Sequence, residues 1–405
     1  MNLALLLRQN LVGKLLNHAL VFFINILLVR IFGASQSGFY FNELYILNFI
    51  AFFFSLGLDY SAIEWISKNR EYVKSIHSIF VKLLILVAIV LLGILFFILF
   101  FDIHFSSVQT LYACVLFIIG NLMMILFQGI LSALKKFNIQ NKILLITNGL
   151  YLLLLWGLLF FQFQKIIQVA LMGYAILFCI QGSLLLMVSF EKNNDSAVTF
   201  SKVSFIKYGG SLMISSLIYF CFIRVDNFFV EYYCNPVVVS NYVQCGKVGQ
   251  YFIYFSSIVS STIIPFIASG TMEYKDWVKL VLPYVVVIFI GAFLLAFSGC
   301  MLYPFLFGAP FKEMQTYMLI FLPGFVSLSL LTLLNSVYIG KRNIRKIFMG
   351  DVLGLVLVLG LDFFIVPLYG ALSAALISSG VYCLVFLFLC RGFKNNFTAN
   401  NKLVS

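Results

Sequence analysis

Three cations of this chain, Arg30, Arg224 and Lys247, stand inside long apolar stretches, as do four carboxylates, Glu43, Asp226, Asp351 and Asp362. An ionised side chain at the centre of a hydrocarbon layer costs about 2.5–3.5 kcal/mol even on the mildest scales, so such residues mark a cavity, an ion path or a buried pair. Asp351 and Asp362 are eleven residues apart, which places them on one face of a helix. That spacing suits groups that respond to protons or sodium, and it suits structural pairing with backbone or lysine equally. Arg224 and Asp226 are two apart and cannot face each other in a regular helix. Each then needs a partner from a second helix, from water or from a ligand. The chemistry on offer is the binding of ions and charged groups, not the making of bonds.

Polar residues also recur at helical spacing on four of the apolar stretches. The first has Lys14, Asn17, His18 and Asn25; the second Tyr45, Asn48, Ser55 and Asp59. The seventh has Ser211, Ser215, Tyr219 and Asp226, and the eighth Gln244, Lys247, Gln250, Tyr251, Tyr254 and Ser261, with Pro265 able to kink it. A stripe of this kind lines a hydrated cavity or ties a bundle together by interhelical hydrogen bonds. For Asn and Ser the second reading is preferred, and for Lys247, flanked by Gln and Tyr, the first. Arg30 and Arg224 lie late in their helices, so each either snorkels to the interface or faces the cavity. His18 reads by default as a satisfied core imidazole, with a proton site or a cation near phosphate as the sharper alternatives.

The elements that must position these residues are membrane-spanning helices. The sequence is 63% hydrophobic and 10% charged, which excludes an ordinary soluble domain. About 20 apolar residues cross a bilayer as a helix. On that measure twelve spans fall near 10–32, 39–58, 79–101, 108–133, 143–162, 168–190, 205–231, 241–268, 279–302, 315–338, 346–367 and 370–391. The runs are continuous, without the alternation of a β-barrel. Basic residues cluster in alternate gaps, among them Lys68, Lys82, Lys135, Lys142, Lys202, Lys275, Lys341, Arg345 and Arg391, whereas the intervening gaps hold Lys165 and Lys312. That is the positive-inside pattern with both termini cytoplasmic. It also accounts for the net charge of +12 without nucleic acid, because cytoplasmic loops face anionic lipid. The eight Cys show no metal-ligand spacing, no P-loop occurs, and the first apolar run reads as a retained helix and not a cleaved signal.

The longest polar loop, 191–204, falls midway between two sets of six spans. The expected fold is therefore an all-α integral membrane protein of about twelve transmembrane helices in two six-helix lobes, residues 1–198 and 199–405. The polar stripes occupy corresponding members of each set, one and two against seven and eight. Short matches recur as well, such as Gly38-Phe39-Tyr40 against Ser240-Asn241-Tyr242.

Several stretches carry a resemblance. Leu27 to Ala34, containing Arg30 and Gly33, then Gly38-Phe39-Tyr40, is similar to the end of the first helix in polysaccharide repeat-unit (O-antigen) flippases of the Wzx type. These belong to the MATE-like MOP superfamily. Arg224-Val225-Asp226 with Asn241-Tyr242, and Ile263 to Ala268, resemble that family's seventh and eighth helices. Asp362 to Pro367 followed by Gly370 to Ala375 resembles its eleventh and twelfth, with Asp362 where relatives commonly carry Asn. The resemblance implies two lobes around a central cavity that opens alternately to either side of a bacterial plasma membrane. It implies as cargo an undecaprenyl-pyrophosphate-linked oligosaccharide for O-antigen, capsule or exopolysaccharide synthesis. No cofactor or metal and no enzymatic step are expected; H+ or Na+ coupling and polysaccharide polymerase or chain-length partners are. On that footing Lys14, His18, Arg30, Arg224 and Lys247 would meet pyrophosphate, and Tyr45, Tyr219, Gln250, Tyr251 and Tyr254 the sugars. Asp226, Asp351, Asp362 and Glu43 are the ion-coupling candidates. The alternative is an ion-coupled multidrug or organic-cation antiporter of the same superfamily, for which the acidic residues would serve.

Overall fold

The computed structural model describes residues 3–101, 108–160, 166–190, 201–268, 272–341, 343–391 and 393. Positions 191–200 of the expected linker lie outside them. In the first half the helices are α1 Leu3–Ser55, α2 Leu58–Lys68, α3 Tyr72–Phe100, α4 Val108–Ala133, α5 Phe137–Phe160 and α6 Ile166–Ser189. In the second they are α7 Lys202–Phe222, α8 Val225–Tyr233, α9 Pro236–Ala268, α10 Tyr274–Phe307, α11 Met314–Gly340, α12 Ile344–Tyr369 and α13 Ala371–Cys390. A short 3-10 turn, Ala309–Phe311, joins α10 to α11. No strand occurs among the described residues.

The length of α1 needs explanation. Its 53 residues would reach about 80 Å at 1.5 Å per residue, far more than a hydrocarbon core of about 30 Å. Gly33 interrupts it with φ 68° and ψ 177°, a conformation open to glycine and strained for other residues. Each limb is then long enough for one crossing. Ten helical segments among the described residues are long and apolar enough to cross a membrane, Val12–Ser55 counted once. With Gly33 dividing that segment, and α9 long enough to cross despite its polar residues, the count reaches the expected twelve. The seventh expected span, 205–231, is broken into α7 and α8 at Ile223 and Arg224.

The chain packs as two compact units, residues 1–32 with 43–214, and residues 33–42 with 215–405. In the first, α4 is the centre and packs on α2, α3 and α6. In the second, α11 takes that place, against α9, α10 and α13. Small residues permit these approaches: a Cβ on Gly120 of α4 would lie 2.5 Å from the Cys179 amide nitrogen of α6, and one on Gly324 of α11 2.7 Å from Ser379 Cα of α13. The peripheral helices α3 and α10 show mostly exposed apolar faces, including Phe96, Phe97, Phe293 and Phe297, as lipid contact requires.

Within the second unit, residues 33–42 are held by α9. The Ser240 hydroxyl donates to the Ala34 carbonyl and accepts from the Gly38 amide at 2.8 Å. Those two groups are the partners of one helical i→i−4 bond, so a side chain from α9 has entered the hydrogen-bond ladder of α1, a known cause of helix bending. Gly38 is needed for it: a Cβ there would stand 2.7 Å from Ser240 Oγ and 2.8 Å from its backbone nitrogen. Gly38→Ala is expected to destabilise the fold by about 1–3 kcal/mol through overpacking. Gly93→Ala, whose Cβ meets nothing within 4 Å, should be neutral or slightly stabilising. Unfolding of both variants in detergent checks the contrast.

Candidate functional site

The break between α7 and α8 builds the site. Phe222 ends α7, Val225 begins α8, and Arg224 between them has φ −137° and ψ −14°. The Arg224 amide bonds the Cys221 carbonyl and the Asn227 amide bonds the Arg224 carbonyl, each at 3.1 Å. This change of helical register lets Arg224 and Asp226 line the same small cavity, which a regular helix would forbid. Arg224 is 5% exposed, so it does not snorkel to the interface. The cavity has room for about one water molecule. Asn227, Tyr242, Gln250 and Tyr382 supply its other polar walls, and Phe321 and Phe325 of α11 close its apolar side.

Asp226 gathers the neighbouring helices. Its Oδ2 accepts from the Tyr242 hydroxyl at 2.6 Å and from Ser378 Oγ at 2.9 Å, and its Oδ1 from the Asn227 amide at 2.9 Å. Donors from α8, α9 and α13 thus converge on one carboxylate. Asp362 of α12 lies within electrostatic reach of it and is completely buried. Neither Asp362 oxygen has a hydrogen-bond partner. Two neighbouring buried carboxyls call for a proton or a cation between them. No group of three or more His, Cys, Asp or Glu able to hold a metal ion occurs among the described residues. The oxygens available to a monovalent cation are those of Asp226, Asp362, Tyr242 and Ser378.

The remaining residues singled out in the sequence fall elsewhere. Lys247 of α9 lies over the Phe41 ring, its Nζ 2.9 Å from the centroid, a cation–π contact. Tyr251 and Tyr254, also on α9, form an edge-on ring pair at 6.0 Å. Tyr219 is hydrogen-bonded to Thr332 and lies within electrostatic reach of Asp351. In the first unit, Lys14 and His18 stand half-buried one turn apart on α1, close enough for their charges to interact. Tyr45 is half-buried, while Arg30 and Glu43 are exposed. Asn17 accepts from Asn148 Nδ2 at 2.7 Å, and Gln181 Nε2 bonds Asn148 Oδ1 at 3.1 Å and Thr147 Oγ1 at 2.7 Å. Asn48 likewise accepts from Asn121 at 2.7 Å. Those asparagines are bundle ties, as preferred from the sequence.

Sequence reasoning missed Ser378 and Tyr382, which α13 contributes, and gave Tyr242 no role at the site. Their signal was present: Ser378 and Tyr382 are polar and four apart in a helix whose other hydroxyls are Ser373 and Ser379. Removing the Tyr242 hydroxyl (Tyr242→Phe) is expected to cost about 1.5–3 kcal/mol, as for a hydrogen bond to a charged group. Tyr251→Phe, outside this network, should cost less than 1 kcal/mol. Reversible unfolding in detergent distinguishes them.

Residues 9–271 match the model of the family described as polysaccharide biosynthesis protein. No curated protein matches the chain in sequence. Among solved structures, its fold is similar to the lipid II flippase MurJ in an inward closed conformation, with TM-score 0.76 and 15% identity over 96% of this chain and 89% of that one. It is similar to an inward-facing multidrug resistance MATE family transporter of the MOP superfamily, with TM-score 0.69 and 12% identity over 94% and 96% of the two chains. It is similar again to the MATE transporter VcmN of Vibrio cholerae in its bent form, with TM-score 0.66 and 10% identity over 98% of each. The chain therefore belongs to the polysaccharide biosynthesis protein family, and it is a multi-pass integral membrane protein with the fold shared by MurJ and the MATE transporters.

Proposed function

We propose that this protein is a flippase that carries an undecaprenyl-pyrophosphate-linked oligosaccharide repeat unit across a bacterial plasma membrane, from the cytoplasmic to the outer face, by alternating access. The observation that carries this reading is the family match over residues 9–271, joined to cations held within the spans. One of the similar folds is that of a lipid II flippase, which supports a lipid-linked cargo. The repeat unit would then be consumed outside in O-antigen, capsule or exopolysaccharide assembly by polymerase and chain-length proteins. Basic loops set both termini in the cytoplasm.

The physical task is to move sugars and a pyrophosphate through about 30 Å of hydrocarbon while the prenyl chain stays in lipid. Charge-assisted hydrogen bonds replace the headgroup's lost water. By helix depth Lys14 and His18 form an inner cationic level, and Arg30, Arg224 and Lys247 an outer one, which the phosphates visit in turn. Tyr45, Tyr219, Tyr251, Tyr254 and Gln250 offer rings and amides to the sugars. Coupling to H+ or Na+ falls to Asp226 and Asp362, where two carboxyls share one buried place. The protein makes no covalent bond in this cycle.

The second reading, an ion-coupled organic-cation antiporter, draws on the same two carboxyls. Arg224, which lines one cavity with Asp226, repels such a cargo, which is why the anionic one is preferred. Loss of one charged contact of about 1.5–3 kcal/mol lowers a rate roughly 10- to 150-fold. Arg224→Ala and Lys14→Ala are each expected to reduce outward appearance of lipid-linked oligosaccharide by at least about tenfold, read by membrane-impermeant labelling of intact cells. Full translocation in both variants at normal abundance would end the proposal, and efflux of a cationic dye from proteoliposomes would favour the rival.

A further inference from the structure

One buried acid has no place in that cycle. Asp351 of α12 is 2% exposed, and its Oδ1 has no hydrogen-bond partner. It shares a face with Asp362, eleven residues and about 16 Å further along the helix. Following the basic cluster at Lys341 and Arg345, Asp351 stands about two turns in from the cytoplasmic side, and Asp362 about two turns short of the outer end.

α8 packs on α12, and the last turn of α7 reaches it through Tyr219 and Phe222. Tyr219 lies within electrostatic reach of Asp351. Three residues on, the Phe222 ring covers Gly354: a Cβ on that glycine would lie 2.5 Å from the ring edge. Phe222 is completely buried and meets the Tyr382 ring edge-on at 5.2 Å. Beyond it come Asp226 and Asp362, within electrostatic reach of each other. The second unit therefore stacks acid and hydroxyl, then an aromatic plug, then two acids, along one helix pair.

The geometry points to a proton route inside the second unit, from the Asp226–Asp362 carboxyls to Asp351, with the Phe222 ring as the closed barrier between the two levels. It rests on the coupling reading above and adds to it the ion, the path and the inner exchange group. A metal cation needs several oxygens around it. The Tyr219 hydroxyl, itself bonded to Thr332 of α11, lies within electrostatic reach of Asp351, and Lys346 is turned to the Tyr338 hydroxyl and the Arg391 carbonyl. A proton is the counter-charge that fits such a place. At the outer level the facing groups are Arg224, Tyr242, Ser378 and Tyr382. The species transferred is H+ alone: the carboxyl that releases it becomes a carboxylate, and the one that receives it becomes neutral. Water and the Tyr219 hydroxyl bridge the gap when the Phe222 ring swings aside.

Purified full-length protein in liposomes, with an interior pH indicator and an imposed pH gradient, tests this without cargo. Phe222→Ala is expected to raise proton leak at least about tenfold over wild type, as loss of about 1.4 kcal/mol of barrier gives. Phe222→Leu should raise it less. The Phe222→Ala/Asp351→Asn double variant should return to the wild-type rate. Infrared spectroscopy across a pH titration should lose one carboxyl band in Asp351→Asn. Wild-type leak in both Phe222 variants, folded by thermal unfolding, overturns the proposal; so does a double variant that still leaks, or an unaltered carboxyl spectrum. If these results hold while oligosaccharide translocation ignores the pH gradient, the route stands and the coupling reading fails.

Discussion

Water is scarce inside a lipid-embedded bundle, so a buried acceptor must find its donors within the protein. Asp226 meets that demand by drawing on three helices at once, through Tyr242, Ser378 and the Asn227 amide. The convergence requires the chain to break between Phe222 and Val225, since an unbroken helix would turn Arg224 away from the side Asp226 occupies. It also requires Tyr242 to be buried against α11, where its ring meets Tyr317 and Phe321 at 5.9 and 5.3 Å. The small cavity and the placing of Arg224 in its wall accompany the satisfaction of that one carboxylate.

The first unit solves the corresponding problem with neutral groups. Its first, fifth and sixth crossings are joined through Asn17, Asn148, Gln181 and Thr147. The seventh, eleventh and twelfth crossings carry Asp226, Asp362 and Ser378 instead. An amide both donates and accepts, so a set of amides closes on itself and needs nothing from outside. A carboxylate only accepts, and a second one beside it leaves oxygens over, as at Asp362. The amide set of the first unit is thus satisfied internally, whereas Asp362 in the second leaves both carboxylate oxygens without a hydrogen-bond partner.

The sequence displayed those features that depend on length, apolarity and charge sign. Continuous apolar runs located the helices to within a few residues, as α4 at Val108–Ala133 against an expected 108–133 shows. Period alone also paired Asp351 with Asp362 on one face. It could not show that Arg224 and Asp226 share a cavity, because the inference assumed helical regularity where the chain breaks. Nor could it pair Ser240 with the α1 ladder, although Gly38-Phe39-Tyr40 and Ser240-Asn241-Tyr242 match in the two halves. A hydroxyl replaces a backbone bond only when a second helix lies at the right height, and that information is tertiary. Nor does the period of α9 show that Lys247 Nζ lies over the Phe41 ring, a contact between residues distant in the chain.

Placing Arg224 beside Asp226 has a consequence for how ion and cargo would be linked under the proposed function. A guanidinium within electrostatic reach of a carboxylate, as Arg224 is of Asp226, would hold phosphate less strongly for that attraction. Were a proton or cation to occupy the Asp226–Asp362 place, the carboxylates would no longer compete, and Arg224 would be released to the anion. Coupling between two ligands is a free energy felt equally from both sides, so bound pyrophosphate must raise the affinity of the acids for the cation by the same factor. Typical couplings of about 1–3 kcal/mol are within what one such contact supplies. A polar cavity that mixes signs is therefore what an ion-driven carrier of an anionic cargo needs, whereas an acidic cavity without the arginine would serve an organic cation.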